Sequence, residues 1–121
     1  MKQLVLVFVG GGFGSVLRFL IGKYLNKPDT YIPYGTFTAN VLGCLVIGVV
    51  LGLAAKSTSL SQNHVLLLAS GFCGGFTTFS TFAYENQVLL KSGDFTGFAL
   101  YTVASFVLGF LAVFLGLFLV K

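Results

Sequence analysis

Four long apolar runs, separated by short polar connections, make up most of this 121-residue chain. A helix that crosses a bilayer needs roughly 20 mostly apolar residues, and each run is long enough. The runs predict helices over residues 3–25, 34–55, 64–90 and 95–120. Only seven basic and three acidic side chains are present, whereas about a quarter of the residues in soluble domains are charged. The sequence therefore predicts an all-α integral membrane protein, a single four-helix domain over 1–121 with no soluble domain.

The third run contains an unusual segment, since residues 71–82 read GFCGGFTTFSTF. Glycine is about 1 kcal/mol worse than alanine inside a helix, and threonine hydroxyls compete for backbone hydrogen bonds. Lipid cannot hydrogen-bond a loosened backbone, which must therefore be buried in protein or line a wet cavity. We predict a break in helix three at Gly74–Thr77, where freed carbonyls would suit a hard cation. The alternative is a flexible but continuous helix with close glycine packing.

Basic residues are spread evenly over the two membrane faces that four spans create. With Arg18 set apart inside helix one, the count is three against three: Lys2, Lys56 and Lys121 on one face, and Lys23, Lys27 and Lys91 on the other. Because excess Lys and Arg on one side normally sets orientation, this balance predicts dual topology and an antiparallel homodimer in the lipid bilayer. The lysines form no patch, which argues against nucleic-acid binding. The first run continues to Arg18 without a cleavage site, so we expect a retained helix and not a signal peptide.

Small residues recur every fourth position in helices one and two, for example Gly10 and Gly14, or Gly48 and Gly52. Such rows let helix backbones approach closely. They suit packing within one subunit and packing between subunits equally well.

The polar side chains within the spans are mainly hydroxyl and amide groups, which can donate hydrogen bonds to an anion. A cation pathway would be expected to carry carboxylates. Phe79 and Phe82 could present their positive ring edges to a small anion, although most of the 14 phenylalanines would simply pack against lipid or helices. The candidate polar residues are Thr36 and Asn40 in helix two, Thr77, Thr78, Ser80 and Thr81 in helix three, and Tyr101 and Ser105 in helix four.

Apart from Lys23, near the end of helix one, two charged residues fall inside the predicted spans. Arg18 lies roughly 10 Å deep by helical rise; it either extends its head group to the interface or draws anions into an aqueous vestibule. Glu85 lies toward the end of helix three and is expected to be a solvated or paired residue at the rim. No nucleophile–base pair or cluster of metal-binding side chains is present, so we do not expect an enzyme.

Three segments resemble the small bacterial fluoride channels called Fluc or CrcB. These are residues 71–82, the run GTFTAN at 35–40 with Gly43, and residues 11–18. The resemblance covers essentially the whole chain. It implies a multi-pass protein of the bacterial inner membrane that forms antiparallel, dual-topology homodimers and exports fluoride passively through two pores per dimer.

The resemblance also implies roles for particular residues. Phe79 and Phe82 would flank the anion path, Asn40 would be an amide donor, and Ser80 and Thr81 would form a hydroxyl track. Thr36, Tyr101 and Ser105 are looser matches on the same path, and Arg18 and Glu85 belong to the vestibule. The backbone carbonyls of Gly74 and Thr77 would hold a structural sodium ion. The donors themselves would also serve chloride, so fluoride selectivity rests on the resemblance.

The alternative function is a small multidrug-type, proton-coupled exporter, which is also a four-helix, dual-topology dimer. That chemistry needs a carboxylate within the membrane, and Glu85 is the only acid in a predicted span.

Overall fold

The computed structural model describes residues 1–26, 32–56 and 60–121, and every regular element in these ranges is helical. Four stretches are long and apolar enough to cross a membrane: Lys2–Leu25, Tyr34–Lys56, Gln62–Lys91 and Phe95–Leu119. The all-α, four-span prediction is confirmed, and its helix boundaries agree within two residues. Lys27, which entered the charge count, lies outside the described residues.

The first, second and fourth spans are single helices, whereas the third consists of several elements. The helices are α1 (Lys2–Leu25) and α2 (Tyr34–Lys56), then α3 (Gln62–Val65), a π-helical segment (Leu66–Cys73), α4 (Gly74–Phe76) and α5 (Phe79–Lys91) within the third span, and α6 (Phe95–Leu119). The third span ends in a tight turn, where Gly93 has a φ of 85° that favours glycine. Asp94 then caps α6 by accepting a hydrogen bond from the Gly97 N–H at 2.8 Å.

The predicted break is present, but it lies slightly later than the glycines. Gly74 and Gly75 remain helical within α4. Thr77 (φ −89°, ψ 158°) and Thr78 (φ −152°, ψ 123°) are extended instead. The break predicted at Gly74–Thr77 therefore begins at the last residue of that range and extends to Thr78, while Gly75 stays helical where α4 crosses α1. A Cβ on Gly75 would collide with the Gly11 carbonyl oxygen.

Within the described residues, glycines bring helices into backbone contact at several interfaces, including those between α1 and the third span and between α2 and α6. A Cβ on Gly10 or Gly14 would collide with carbonyl oxygens of the π-helical segment. A Cβ on Gly48 or Gly116 would collide with carbonyl oxygens across the α2–α6 interface. These glycines thus serve packing within one subunit. The third span thus packs against α1, α2 and α6.

The best-buried apolar cluster lies between α5 and α6. Phe82, Leu89 and Tyr101 form its centre, with Phe37 and Phe98 packed against it. By contrast, large apolar side chains along α1 and α6, such as Phe8 and Phe114, are exposed, as expected for surfaces that face lipid. The cluster fixes the position of α5 just beyond the break.

Candidate ion-binding site at the break in the third span

The extended residue Thr78 is held by a single side chain from α2. The Thr78 N–H donates to Asn40 Oδ1 at 2.7 Å, and Asn40 Nδ2 donates to the Thr78 carbonyl at 3.1 Å. One amide thus satisfies both backbone groups of a residue that has left the helix, which matters because unpaired backbone groups are costly at membrane depth. The Thr78 hydroxyl accepts from the Thr81 N–H at 3.2 Å and caps the start of α5.

On the N-terminal side of the break, α1 holds a different backbone group. Arg18 Nε donates to the Gly75 carbonyl at 3.1 Å, and the Ser15 hydroxyl donates to the same oxygen at 3.4 Å. Sequence analysis predicted an interfacial or a vestibule position for Arg18 and did not predict this contact. Its half-buried side chain reaches the third span, where its charge is adjacent to the last helical turn before the break.

The break also frees carbonyl oxygens. In a continuous helix the carbonyls of Gly74 and Thr77 would accept from the N–H groups of Thr78 and Thr81, four residues on. Those two N–H groups donate instead to Asn40 Oδ1 and to Thr78 Oγ1. Within the described residues, no donor reaches the carbonyl of Gly74, Phe76 or Thr77. Unpaired carbonyl oxygens are ligands that hard cations prefer, so this donor set fits the sodium ion expected at Gly74 and Thr77.

A groove of about 450 Å³ lies beside the break, between α2, the third span and α6. It brings together six of the predicted site residues, and no charged side chain of the described residues lines it. The Ser105 hydroxyl is buried and has no hydrogen-bond partner among the described residues. The six residues are Asn40, Gly74, Thr77, Phe79, Phe82 and Ser105.

The two phenylalanines differ in their surroundings although both line the groove. Their ring centroids are 5.9 Å apart and the rings are tilted by 41°. Phe82 is 7% exposed and packs against Tyr101, with a centroid distance of 5.0 Å. It also meets Phe106 edge to face at 6.0 Å. Phe79 is 73% exposed, so much of its ring remains free for an ion or another chain.

Glu85 is paired, as one of the expectations for it stated, and it does not line the groove. The Thr36 hydroxyl donates to Glu85 Oε2 at 2.8 Å, and the Tyr101 hydroxyl donates to Oε1 at 2.9 Å. Thr36 and Tyr101 are buried and point to this carboxylate. The structure thus groups these three residues with one another and not with the groove, and their pathway and vestibule roles stay predictions.

Ser80 and Thr81, the predicted hydroxyl track, lie just after the break on α5. The Ser80 hydroxyl is exposed and lies 3.3 Å from the Thr78 hydroxyl. Thr81 is half-buried, and its N–H makes the cap described above. Neither side chain lines the groove, so their role also stays a prediction.

Sequence analysis missed one buried polar residue, which lies on α5 a helical turn beyond Phe82. Asn86 is 7% exposed, and its Oδ1 accepts a hydrogen bond from the Thr102 hydroxyl at 3.3 Å. Asn86 lies four residues after Phe82, on the same face of α5. That spacing is the signal that could have identified it as a buried residue.

Comparison of the sequence with known protein families identifies the family to which this chain belongs. A family profile described as "CrcB-like protein, Camphor Resistance (CrcB)" matches residues 5–117. The chain belongs to the CrcB-like family. Four spans make this CrcB-like chain a multi-pass membrane protein, which in a bacterium lies in the inner membrane. The resemblance seen in the sequence is confirmed.

Individual relatives cover the CrcB-like chain almost completely. A fluoride-specific ion channel FluC of Gloeothece citriformis is 47% identical, over 100% of this chain and 98% of the relative. A FluC of Phocaeicola vulgatus is 48% identical over 97% of both chains. A third FluC, from Leptospira interrogans, is 43% identical over 99% of this chain and 95% of the relative.

Proposed function

We propose that this chain forms a fluoride-selective channel that exports fluoride passively from the cytoplasm. Its relatives at 47% and 48% identity are named fluoride-specific ion channels. The observation that carries the proposal is the groove beside the break. It combines the Asn40 amide, the Ser105 hydroxyl and several phenylalanine rings, with no charged side chain of the described residues along it. Such a lining suits an anion that moves without a fixed countercharge.

In this proposal two donors replace water around a small anion: Asn40 on the groove lining, and the Ser105 hydroxyl, which is buried beneath that lining and would turn toward the ion. Asn40 Nδ2 carries two N–H groups, and its bond to the Thr78 carbonyl uses one of them. Burying the Ser105 hydroxyl without a partner costs about 1–3 kcal/mol, a penalty that a hydrogen bond to an anion would remove. Phe79 and Phe82 add positive ring edges beside these donors. Because fluoride holds its water tightly, it needs such donors close by to replace that water.

The conducting unit in this proposal is an antiparallel homodimer with two pores. In a single chain the groove, the exposed ring of Phe79 and the exposed Gly74 would face lipid. A second copy would cover them, and the even spread of lysines would allow that copy to insert the other way. The inverted copy would carry an identical groove, which gives two pathways per dimer.

A structural sodium ion completes the proposal. The freed carbonyls of Gly74 and Thr77 would hold it, because their usual N–H partners donate elsewhere. When bound, the ion would supply a positive charge that neutralises those carbonyl dipoles and ties the broken segment in place. The alternative, a proton-coupled exporter, lacks support because Glu85 lies outside the groove with both carboxylate oxygens accepting hydrogen bonds.

Ion efflux from liposomes tests the proposed function. Purified protein is reconstituted into liposomes loaded with fluoride or with chloride, and ion-selective electrodes follow release. We expect fluoride release without a proton gradient and chloride release no faster than from protein-free liposomes. Equal chloride release, or no fluoride release, would contradict the proposal.

A further inference from the structure

Asn40 lies where the proposed anion path and the proposed cation site meet. Its side chain lines the groove, yet both of its polar atoms bind the backbone of Thr78. This is the pairing that a neighbouring strand would supply to an extended residue. A donor to an anion needs only the Nδ2 group, so the bond to Oδ1 indicates a second task.

The Oδ1 bond decides which group receives the Thr78 N–H. In an uninterrupted helix this N–H would donate to the Gly74 carbonyl. A buried N–H needs an acceptor, and Asn40 Oδ1 accepts it at 2.7 Å. The Gly74 carbonyl is therefore left without its helical donor.

We infer that Asn40 is a positioning residue for the cation site, because it diverts the Thr78 N–H and so keeps the Gly74 carbonyl free. The inference rests on the proposed function, which places a sodium ion at Gly74 and Thr77. It explains why the cation site exists: Asn40, a residue of the proposed anion path, keeps Thr78 out of the helix.

The contacts from α1 sharpen this assignment. Arg18 and Ser15 both donate to the Gly75 carbonyl, so that oxygen is already occupied and lies beside a positive charge. Gly74, one residue earlier, is exposed and lines the same groove as Asn40. Side chains from two helices thus determine which carbonyl of α4 is occupied and which is free.

Substitutions at Asn40 separate its two tasks. Asn40→Leu removes both hydrogen bonds to Thr78, so the N–H can return to the Gly74 carbonyl. Asn40→Asp keeps an oxygen that accepts the Thr78 N–H, whether or not the acid is ionised. The inference therefore predicts weak sodium binding in the leucine variant and sodium binding at least as tight as in the wild type in the aspartate variant.

The test measures the thermal unfolding midpoint of the purified full-length protein against sodium chloride concentration. Choline chloride keeps the ionic strength constant. A ligand at concentration c that binds only the folded state stabilises it by RT ln(1 + c/Kd), so a fit of the midpoints against sodium concentration gives the dissociation constant. Thr102→Val is the matched control, since it removes one buried hydrogen bond, to Asn86, away from the break.

We expect the sodium dissociation constant to rise at least about fivefold in Asn40→Leu, the size expected for the loss of one hydrogen bond. It should not rise in Asn40→Asp, because the acceptor oxygen is kept and a carboxylate beside the site attracts a cation. Thr102→Val should lower the midpoint at every sodium concentration without changing the dissociation constant. Should the leucine variant not fold, Asn40→Ser, whose shorter side chain falls short of Thr78, replaces it with the same expectation.

Two results would overturn the inference, and they are distinguishable. If the wild type responds to sodium and Asn40→Leu or Asn40→Ser responds at the same concentration, Asn40 does not control the site, and the proposed function stands. If the wild type itself shows no response to sodium, the proposed cation site fails together with the inference. The liposome experiment judges fluoride conduction separately in either case.

Discussion

The two sides of the break in the third span are held by different chemistry. On the α1 side, the charged Arg18 and the neutral Ser15 donate to the carbonyl of Gly75, a residue that is still helical. On the α2 side, the neutral Asn40 pairs with both backbone groups of the extended Thr78. Only the α2 side lines the groove.

This difference suggests a division of tasks between the two sides. An arginine bonded to the backbone fixes how the third span crosses α1, where glycines allow close contact. A neutral amide can hold the backbone and still offer a hydrogen bond to an ion in the groove. The α1 side is thus expected to govern stability and the α2 side to govern conduction, and each prediction below tests that separation.

The largest effect is expected for Asn40→Asp. A carboxylate in the groove would repel an anion, and two like charges about 4 Å apart interact by about 4 kcal/mol at an effective dielectric constant of 20. Fluoride efflux from liposomes should fall at least about 100-fold, while the variant remains folded. Thr102→Val serves as the control and should conduct like the wild type. Efflux from the aspartate variant close to the wild-type rate would mean that the anion does not pass Asn40.

Gly75→Ala should disrupt the α1 side. A Cβ at this position would collide with the backbone of Gly11, and overpacking typically costs about 1–3 kcal/mol. The thermal unfolding midpoint should drop clearly. Gly12→Ala is the matched control on α1, because its Cβ would meet no described atom within 4 Å. Equal midpoints for the two variants would show that the close α1 crossing is not needed.

Arg18→Ala should destabilise the protein by about 1.5–3 kcal/mol, the usual value of a hydrogen bond to a charged group. Denaturant titration measures the loss, with Lys23→Ala, an exposed basic residue of α1, as the control. Efflux per folded molecule should change little if Arg18 acts through the backbone of Gly75. A large loss of efflux from fully folded protein would instead support the vestibule role that the family resemblance implies.

Replacing the two phenylalanines should have smaller effects, and only one of the two replacements should also lower stability. Phe79→Ile should slow fluoride efflux by about two- to tenfold, the value of one aromatic interaction, without loss of stability, because the ring is largely exposed. Phe82→Ile should also lower stability by about 1–3 kcal/mol, since its ring packs in the α5–α6 cluster. Phe8→Ile, an exposed ring on α1, is the control. Unchanged efflux in both groove variants would remove the aromatic edges from the account.

The fold was largely predictable from the sequence because its main signals are local. Run length alone identified four spans, and the glycine and threonine content of residues 71–82 identified the broken one. The position of the break was not predictable in detail, since Gly75 serves a contact with α1 that the local pattern does not encode. The π-helical form of Leu66–Cys73 had no sequence signal that we used.

The site was predictable in its residues but not in its contacts. Asn40 and the two phenylalanines were identified from chemistry and family resemblance, and the structure places them along one groove. The bonds that define the break join residues 38 and 57 positions apart, so they depend on helix packing. Glu85 shows the same limit: its partner Thr36 is 49 positions away, and only the fold reveals that both its oxygens are occupied.

The central claim is that the groove beside the break conducts fluoride and not chloride. The most direct test loads the same liposomes with both anions and follows both with two electrodes after reconstitution of the wild-type chain. The account predicts rapid, complete fluoride release from liposomes that contain protein, while chloride leaves only at the protein-free rate. Release of both anions at similar rates, or of neither, would contradict it.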